Sequence, residues 1–442
     1  MPLHDLAFYF AIFFILGVGA ASIGVNIWWA VLLIVIAAIV LFFDPIRDST
    51  SNGAGKNIAI AALTPVALLG FLYFHFYSAT ASINFVFNNS ITTTGIIIND
   101  PQYTDKSQKF EIQLQPPHAG KTEIVVATYP RFSYGDKLKI TGVLTKANSE
   151  TGSVMAFPKL ELISSGHVNA VKNFLYNVKH SLMANLDKVL PAEKAALGSG
   201  LLLGARGGFS DDFKQAMRAS GTTHIVALSG YNISLVGIGV MNVLVWFMSR
   251  RRAFYFSIAF IILFVLMTGA EASVVRAAIM GIIVMIAERS SRHFDFRNAI
   301  TLTALMMLIY NPRLLIFSPG FQLSFMALIG LIYLEPWIKK FFGWDSKTGD
   351  GIISWRKNLT QTIAAQIGAL PIILINFGYF NPLSVIANVL ILEFIPITTF
   401  FAFAVAVSGF IATGLSLILS LPLSLFLGYE ISIINLFGSN WQ

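Results

Sequence analysis

The sequence contains no cysteine and few charged residues. Without cysteine, the chain forms no disulfide and offers no thiolate ligand to a metal ion. Charged residues occupy 12% of the 442 positions, whereas soluble globular chains carry about 25%. Hydrophobic residues occupy 55%, and the mean hydropathy is +0.71. This composition excludes a surface that mostly faces water and favours a protein embedded in a lipid bilayer.

Apolar runs that approach bilayer length recur along the chain. Residues 1–78 hold three of them, at 8–21, 28–43 and 58–77, and a helix of about 20 apolar residues crosses the hydrocarbon core. No small-residue cleavage site follows the first run, so we interpret the first two as a retained helical hairpin rather than a signal peptide. Eight further segments follow, at roughly 222–248, 253–270, 272–287, 298–310, 320–335, 360–377, 384–400 and 402–427. We predict a polytopic α-helical membrane protein with a C-terminal membrane domain over 222–442.

Residues 79–168 differ completely from the segments on either side. They are polar, and Phe110, Ile112 and Leu114 alternate with polar residues, as do Leu138 and Ile140. A period of two predicts half-buried strands. Turn residues separate the strands at 99–101, 116–117 and 134–136. About five short strands in such a span predict a small inserted β-barrel of the OB type.

The next segment, 169–221, has helical spacing with a charged face. Between residues 171 and 190, apolar residues such as Phe174, Leu182 and Leu186 recur among Lys172 and Lys179. This pattern predicts an amphipathic helix that lies at the membrane interface, or one that packs on the barrel.

Positive charge alternates between the short loops of the C-terminal domain. Arginine or lysine clusters occur at 250–252, at 289–297 and at 339–357, and the intervening loops carry far fewer positive charges. Because positive loops stay in the cytoplasm, the N-terminus is predicted inside and the C-terminus outside. The β domain is too long for this rule, and the number of helices that precede it predicts that it lies outside the cytoplasmic membrane of a bacterium.

Four stretches form a recognisable pattern across nearly the whole chain. They are Gly135–Gly142; Gly204-Ala205-Arg206 with the run from Gly221 to Ile233; Asn311–Phe325; and Gly368–Pro371 with Phe377-Gly378 and Ala387-Asn388. The pattern resembles that of the ComEC competence family, whose members are DNA-uptake channels. The run from Gly221 to Gly230 is its most specific part.

The resemblance implies an inner-membrane channel that translocates single-stranded DNA into the cytoplasm during natural transformation. It also implies a DNA receptor outside, and a helicase or other ATPase with single-strand-binding proteins inside. Two departures are visible. Asn232 stands where the family often has histidine, and no HxHxDH-type cluster of the metallo-β-lactamase-like domain is present. We therefore expect a channel rather than an enzyme, without the nuclease domain, a metal or a cofactor.

Polar residues inside apolar segments are the candidate lining of a path for a polyanion. The predicted lining residues are His224, Ser229, Gly230, Asn232, Arg276, Gln322 and Gln366. For Arg276, a phosphate contact is as open as a structural role, in which it pairs with Glu271 or snorkels to the interface. Each glutamine is, taken singly, also typical of a packing hydrogen bond. His224 and Ser229 lie on different faces of an ideal helix and have no nearby carboxylate, which argues against a nucleophile pair.

The β domain interleaves aromatic and basic residues between 129 and 139. Single-stranded nucleic acid binds to such combinations of stacking platforms and cations. The candidate DNA-binding residues are Tyr129, Arg131, Phe132, Tyr134, Lys137 and Lys139. Acidic and basic residues nearly balance in this domain, so a barrel that packs on the channel or binds a partner is an equal alternative.

The sequence contains no complete phosphate-binding loop. Gly53-Ala54-Gly55-Lys56 is followed by asparagine, and Gly120-Lys121-Thr122 lacks the upstream glycine. Any driving force must then come from a partner ATPase, a DNA-retaining protein or the membrane potential. Composition and topology alone also allow a secondary transporter of a small anionic solute, or a membrane enzyme acting on a lipid-linked substrate.

Overall fold

The computed structural model describes residues 3–26, 28, 64–81, 87–104, 106–116, 120–147, 151–205, 207–226, 230–289, 295–343, 355–378 and 380–439. Of the predicted segment 28–43, Trp28 alone lies among the described residues. Two compact units are present, and each is described by itself. Unit 1 comprises Met1–Ile83 and Ile282–Gln322, and unit 2 comprises Asn84–Gly281 and Leu323–Gln442.

Helices dominate the described residues. In chain order they are α1 (Leu3–Ser22), α2 (Thr64–Ala81), α3 (Ala170–Asp187), α4 (Ala192–Leu203), α5 (Asp211–Ala219), α6 (Thr223–Val226), α7 (Gly230–Phe247), α8 (Arg250–Met267), α9 (Ala272–Arg289), α10 (Phe296–Tyr310), α11 (Leu314–Phe317), α12 (Pro319–Tyr333), α13 (Glu335–Phe341), α14 (Trp355–Phe377), α15 (Ser384–Leu392), α16 (Ile395–Ser408) and α17 (Thr413–Ser439).

Two of these helices, α14 and α17, are long and apolar enough to cross a membrane. Two bent pairs, α12 with α13 at 44° and α15 with α16 at 52°, pass the same test when each is taken as one broken span. The described residues therefore hold two to four candidate spans, fewer than the sequence predicted. Several predicted segments fold as helices that are shorter, such as Leu6–Ser22, Pro65–Ala79 and Phe296–Tyr310.

Unit 1 is held together by close contact between α1 and α2. Val18 and Phe71 lie in its buried core. A Cβ added at Gly17 would collide with the backbone carbonyl of Ala67, and one added at Gly70 would collide with the backbone of α1. Small residues thus let the two helix backbones touch, as in packed membrane helices.

The β domain belongs to unit 2 and has eight strands. They are β1 (Ser90–Ile97), β2 (Gln102–Tyr103), β3 (Ser107–Leu114), β4 (Gly120–Ala127), β5 (Lys137–Val143), β6 (Thr145–Lys146), β7 (Ser153–Ala156) and β8 (Lys159–Ser164). Their order is β6-β7-β4-β3-β1-β5-β8, with β2 beside β3; β4 and β7 pair in parallel, and the other pairings among the described strands are antiparallel. As the alternation predicted, Phe110, Ile112, Leu138 and Ile140 point into the core.

The prediction of a closed barrel is corrected. No ladder joins the two terminal strands β6 and β8 in the part of the chain that the structure describes. The physical reason is strand length and facing: β6 has only two residues, and β8 exposes Leu162 and Ile163 instead of alternating. The domain is an open, mixed sheet.

Candidate functional site

The family-like run begins where helix α5 ends. The helix starts at Ser210, whose hydroxyl accepts a hydrogen bond from the Phe213 amide. At its other end, the Thr222 amide donates to Met217 O and the Gly221 amide donates to Arg218 O. This is the Schellman arrangement, which requires a left-handed residue, and Gly221 has φ +68°. The sequence therefore turns sharply at Gly221.

Gly221 lies against the first turn of α15. A Cβ added to Gly221 would be 2.5 Å from the Cβ of Ser384, which is 4% exposed. The Asn381 amide group donates to Ala219 O at 2.5 Å. Gln366 Nε2 donates to Ser384 Oγ at 3.1 Å. We call Gly221, Asn381, Ser384 and Gln366 the turn cluster.

The turn cluster lies at the midpoint of α14. Gln366 is the middle residue of this 23-residue helix. Asn358, near the start of α14, contacts Glu393, which follows α15. Helix α15 therefore runs antiparallel to the first half of α14 and begins level with its centre. A helix of this length extends about 35 Å, so the Gly221 turn lies about 17 Å from either end.

The predicted lining residues near this turn have different outcomes. His224, on α6, has an exposed side chain, and its ring forms a hydrogen bond with the backbone of Gly221. Gly230 is the first residue of α7. Ser229 lies outside the described residues, and Asn232 lies in α7 with a side chain that is not described. His224 and Gln366 therefore both adjoin Gly221.

Arg276 and Gln322 lie on different helices and have different contacts. Arg276, on α9, is half-buried, and its Nε atom is buried without a hydrogen-bond partner. Gln322 belongs to unit 1, where its amide donates to Leu315 O and Ile316 O. These are local packing hydrogen bonds, and Gln322 does not belong to the turn cluster.

Asn388, which belongs to the family-like sequence pattern, is a further site candidate. It lies one turn beyond Ser384 on α15 and is 1% exposed, and its Oδ1 atom has no partner in the described residues. Gln366 Oε1 is likewise buried without a partner. The four-residue spacing of Ser384 and Asn388 placed them on one helix face, but nothing local indicated which face is buried.

On the β domain, exposed aromatic rings surround a shallow groove. Tyr129 is 73% exposed, and Phe157 is 68% exposed with φ +50°, a conformation that non-glycine residues rarely adopt. The guanidinium group of Arg131 lies 5.3 Å from the ring centre of Tyr103 and 5.4 Å from that of Tyr129. The groove, of about 230 Å³, is lined by Tyr129, Phe157 and neighbours that include Leu160.

Two predicted DNA-binding aromatics are corrected. Phe132 is 5% exposed, and its ring packs edge-on against Phe110 in the core. Tyr134 packs edge-on against Tyr176 of α3, and its hydroxyl accepts a hydrogen bond from the Asn169 amide. Both rings take part in packing, so Tyr129 is the exposed ring of the three.

The two predicted lysines are on strand β5. Lys139 is exposed and forms an ion pair with Glu161 at 3.5 Å, and Lys137 is half-buried. Both side chains alternate with the buried Leu138 and Ile140, so they lie on the outer face of the sheet.

An ion pair attaches the β domain to α3. Asp100 lies 2.8 Å from Lys179 Nζ, with side-chain exposures of 11% and 12%, and 3.1 Å from His180 Nε2. Burial alone would raise the pKa of Asp100, but the hydrogen bond with His180 and the charge of Lys179 outweigh it, so the pKa lies below its ordinary value. Burial, followed by the nearby Asp100 charge, raises the pKa of Tyr176 to about 12.

Comparison with known proteins identifies the region around the turn cluster. A family model described as "Competence protein" matches residues 201–441. The match covers more than half of the chain and includes Gly221, Gln366 and Ser384. The chain belongs to the Competence protein family. The resemblance inferred from the sequence is thereby confirmed.

A curated relative extends the comparison. The "ComE operon protein 3" of Bacillus subtilis (strain 168) is 27% identical over 330 residues, covering 71% of this competence protein and 40% of the relative. The chain therefore spans about two fifths of the relative's length. No solved structure matches it. In the described residues of this competence protein, no three His, Asp or Glu side chains are grouped so as to hold a metal ion.

Proposed function

We propose that this competence protein is the inner-membrane channel that carries single-stranded DNA into the cytoplasm during natural transformation. The proposal places residues 1–78 and 222–442 in the membrane and the β domain (79–168) outside, with residues 169–221 leading from the interface to the Gly221 turn. It includes a DNA receptor outside, and an ATPase and single-strand-binding proteins inside.

One observation carries the proposal: the family-specific turn at Gly221 lies level with the centre of a helix that is long enough to cross a bilayer. Non-helical backbone at membrane depth is tolerated only where it is buried in protein or lines a water-filled cavity. Transporters and channels use such interrupted helices around the path of their substrate. The short helix α15, which begins beside Gly221, fits the same design.

Unpartnered buried polar atoms of unit 2 support a wet path. Arg276 Nε, Gln366 Oε1 and Asn388 Oδ1 are buried on apolar helices and have no partner in the described residues. Leaving a buried polar atom unpaired costs about 1–3 kcal/mol, so native proteins pair such atoms with water or a ligand. A guanidinium group is the side chain best suited to phosphate.

Import of labelled DNA tests the channel. Arg276→Gln removes the cation and is expected to lower transformation about ten- to a hundredfold, since a hydrogen bond to a charged group contributes about 1.5–3 kcal/mol. Arg276→Lys should retain part of the import. Arg252→Gln, which removes an equal charge from an exposed site on α8, is the control and should import normally. Normal import by properly inserted Arg276→Gln would refute a role for Arg276 in the path.

We also propose that the groove of the β domain holds bases of the incoming strand through Tyr129 and Phe157, with Arg131 near the phosphates. Base stacking on one aromatic ring contributes about 1–3 kcal/mol. Tyr129→Ala and Phe157→Ala in the purified full chain should each weaken oligonucleotide binding by about 5- to 150-fold, as measured by fluorescence anisotropy at fixed salt. Leu162→Ala, at an exposed apolar residue on β8, should leave affinity unchanged. Equal losses in all three variants would reject stacking.

A further inference from the structure

Helix α17 carries a carboxyl group in the interior of the helical bundle. Glu430 is 1% exposed. Its Oε1 atom lies 2.6 Å from Thr398 Oγ1 on α16. Its Oε2 atom is buried and has no hydrogen-bond partner in the described residues. Thr398 is the single side chain that contacts this carboxyl group through a hydrogen bond there.

The number of hydrogen atoms that Thr398 and Glu430 can donate indicates the protonation state of the Glu430 carboxyl group. The Thr398 hydroxyl also lies 3.0 Å from Phe394 O, the carbonyl one turn earlier. A hydroxyl group donates one hydrogen, and a carbonyl only accepts. If Thr398 donates to Phe394 O, the 2.6 Å contact is a hydrogen bond only when Glu430 is the donor. Both contacts are satisfied together by a protonated carboxyl group.

Charge around Glu430 leads to the same result. Helix α17 packs against α16, α15, α5 and α4. Helices α15 and α16 carry no titratable residue, and the titratable residues on the remaining elements are Glu193, Lys194, Asp211, Asp212, Lys214, Arg218 and, on α17 itself, Tyr429. None of them forms an ion pair with Glu430. Lys194, the cation on α4, instead donates to Ser424 O and Ser424 Oγ. An ionised carboxylate that no cation balances in an apolar interior is unfavourable, and the group binds a proton instead.

We propose that Glu430 is a proton-binding site: in the folded protein at neutral pH, its carboxyl group is a neutral acid that donates to Thr398 Oγ1, while Thr398 donates to Phe394 O. Loss of this proton leaves an unpaired anion between α16 and α17. The anion favours separation of these helices and entry of water. Proton binding at Glu430 is therefore coupled to the packing of the last two helices.

Infrared spectroscopy of the purified full-length protein in detergent tests the site directly. A protonated carboxyl group has a carbonyl stretching band that is separate from the band of a carboxylate. At pH about 7, where a free carboxyl group is ionised, the wild type should show this band and Glu430→Gln should lack it. Thr398→Val, which removes the acceptor, should shift the band. Thr399→Val is the matched control, because the Thr399 hydroxyl has no hydrogen-bond partner among the described residues, and it should leave the band in place.

Stability against pH gives a second readout. The folded protein retains a proton that the unfolded chain releases, so the stability of the wild type falls as pH rises, whereas that of Glu430→Gln does not. The unfolding equilibrium constants of the two proteins should diverge by up to about tenfold per pH unit above the range in which a free carboxyl group titrates. A wild type without the protonated-acid band, or parallel pH profiles for wild type and Glu430→Gln, would overturn the proposal. If Glu430→Gln does not fold, the band of the wild type and its shift in Thr398→Val still decide.

Discussion

Replacing Gly221 by alanine tests the contact on which the turn cluster depends. The added Cβ meets two obstacles. Gly221 has φ +68°, which an L side chain adopts unfavourably, and the new Cβ would be 2.5 Å from the Cβ of Ser384. That distance is far below normal van der Waals separation. Ser384 cannot readily move away from the added Cβ, because its side chain is buried (4% exposed) and its backbone forms the first turn of α15.

The two obstacles have separable magnitudes. A left-handed conformation costs a non-glycine residue about 1–2 kcal/mol. Overpacking of a well-filled interior costs about 1–3 kcal/mol. Gly221→Ala should therefore lower the free energy of unfolding by about 2–5 kcal/mol. Gly269 has φ +90° with no atom within 4 Å of an added Cβ, so Gly269→Ala should lose only the conformational part.

Equilibrium unfolding in mixed micelles, followed by tryptophan fluorescence, measures these losses. In a double-mutant cycle, Ser384→Gly removes the colliding Cβ. The double variant Gly221→Ala/Ser384→Gly should be about 1–3 kcal/mol more stable than the sum of the two single changes predicts. Transformation frequency should follow the same order. If Gly221→Ala and Gly269→Ala lose equal stability and the cycle shows no coupling, the contact between Gly221 and α15 is refuted.

Three further outcomes follow from buried contacts in unit 2. Asp100→Asn leaves the half-buried partner Lys179 without its anion and should destabilise attachment of the β domain by about 3–5 kcal/mol, seen as faster proteolysis between β8 and α3. Because the pKa of Asp100 is lowered, the carboxylate stabilises the fold above the ordinary pKa of 3.8, and this stabilisation is lost as pH falls below that value. In an acid titration, the difference in stability between the wild type and Asp100→Asn should therefore disappear. Gly368→Ala adds a Cβ 2.5 Å from Met326 O and should destabilise the packing of α12 on α14 by about 1–3 kcal/mol. Gly320→Ala is the control, because open space surrounds the added Cβ, and it should not lower the free energy of unfolding. Equilibrium unfolding of the two variants measures the difference.

Local sequence patterns predicted the helices and strands that depend on residues close together in the chain. The alternation around Phe110 and Leu138 gave strands β3 and β5, because a strand with one buried face needs a period of two. The helical spacing after residue 169 gave α3, which begins at Asn169, whose side chain caps the first turn. The polar composition of 79–168 separated the β domain from the helices. The Gly221 run indicated the family.

The aromatic residues of the β domain show where such patterns stop. Tyr129, Phe132 and Tyr134 lie within six positions and have the same stacking chemistry. Tyr129 is exposed, Phe132 fills the core and Tyr134 packs on Tyr176. Phe157 lines the same groove as Tyr129 but follows β7 instead of β4, and it was not predicted. Which ring faces water depends on the partner that covers it, and the partners are distant in sequence.

Composition and periodicity by themselves determined an apolar, largely helical chain with an inserted sheet, since these follow from the burial of side chains a few positions apart. Only the tertiary structure decided that Gly221 meets Ser384 halfway along α14, that Asp100 binds Lys179 and that Glu430 has Thr398 as its partner. These contacts join residues far apart in the chain. Their free energy comes from the exclusion of water between surfaces that exist only after the helices have packed.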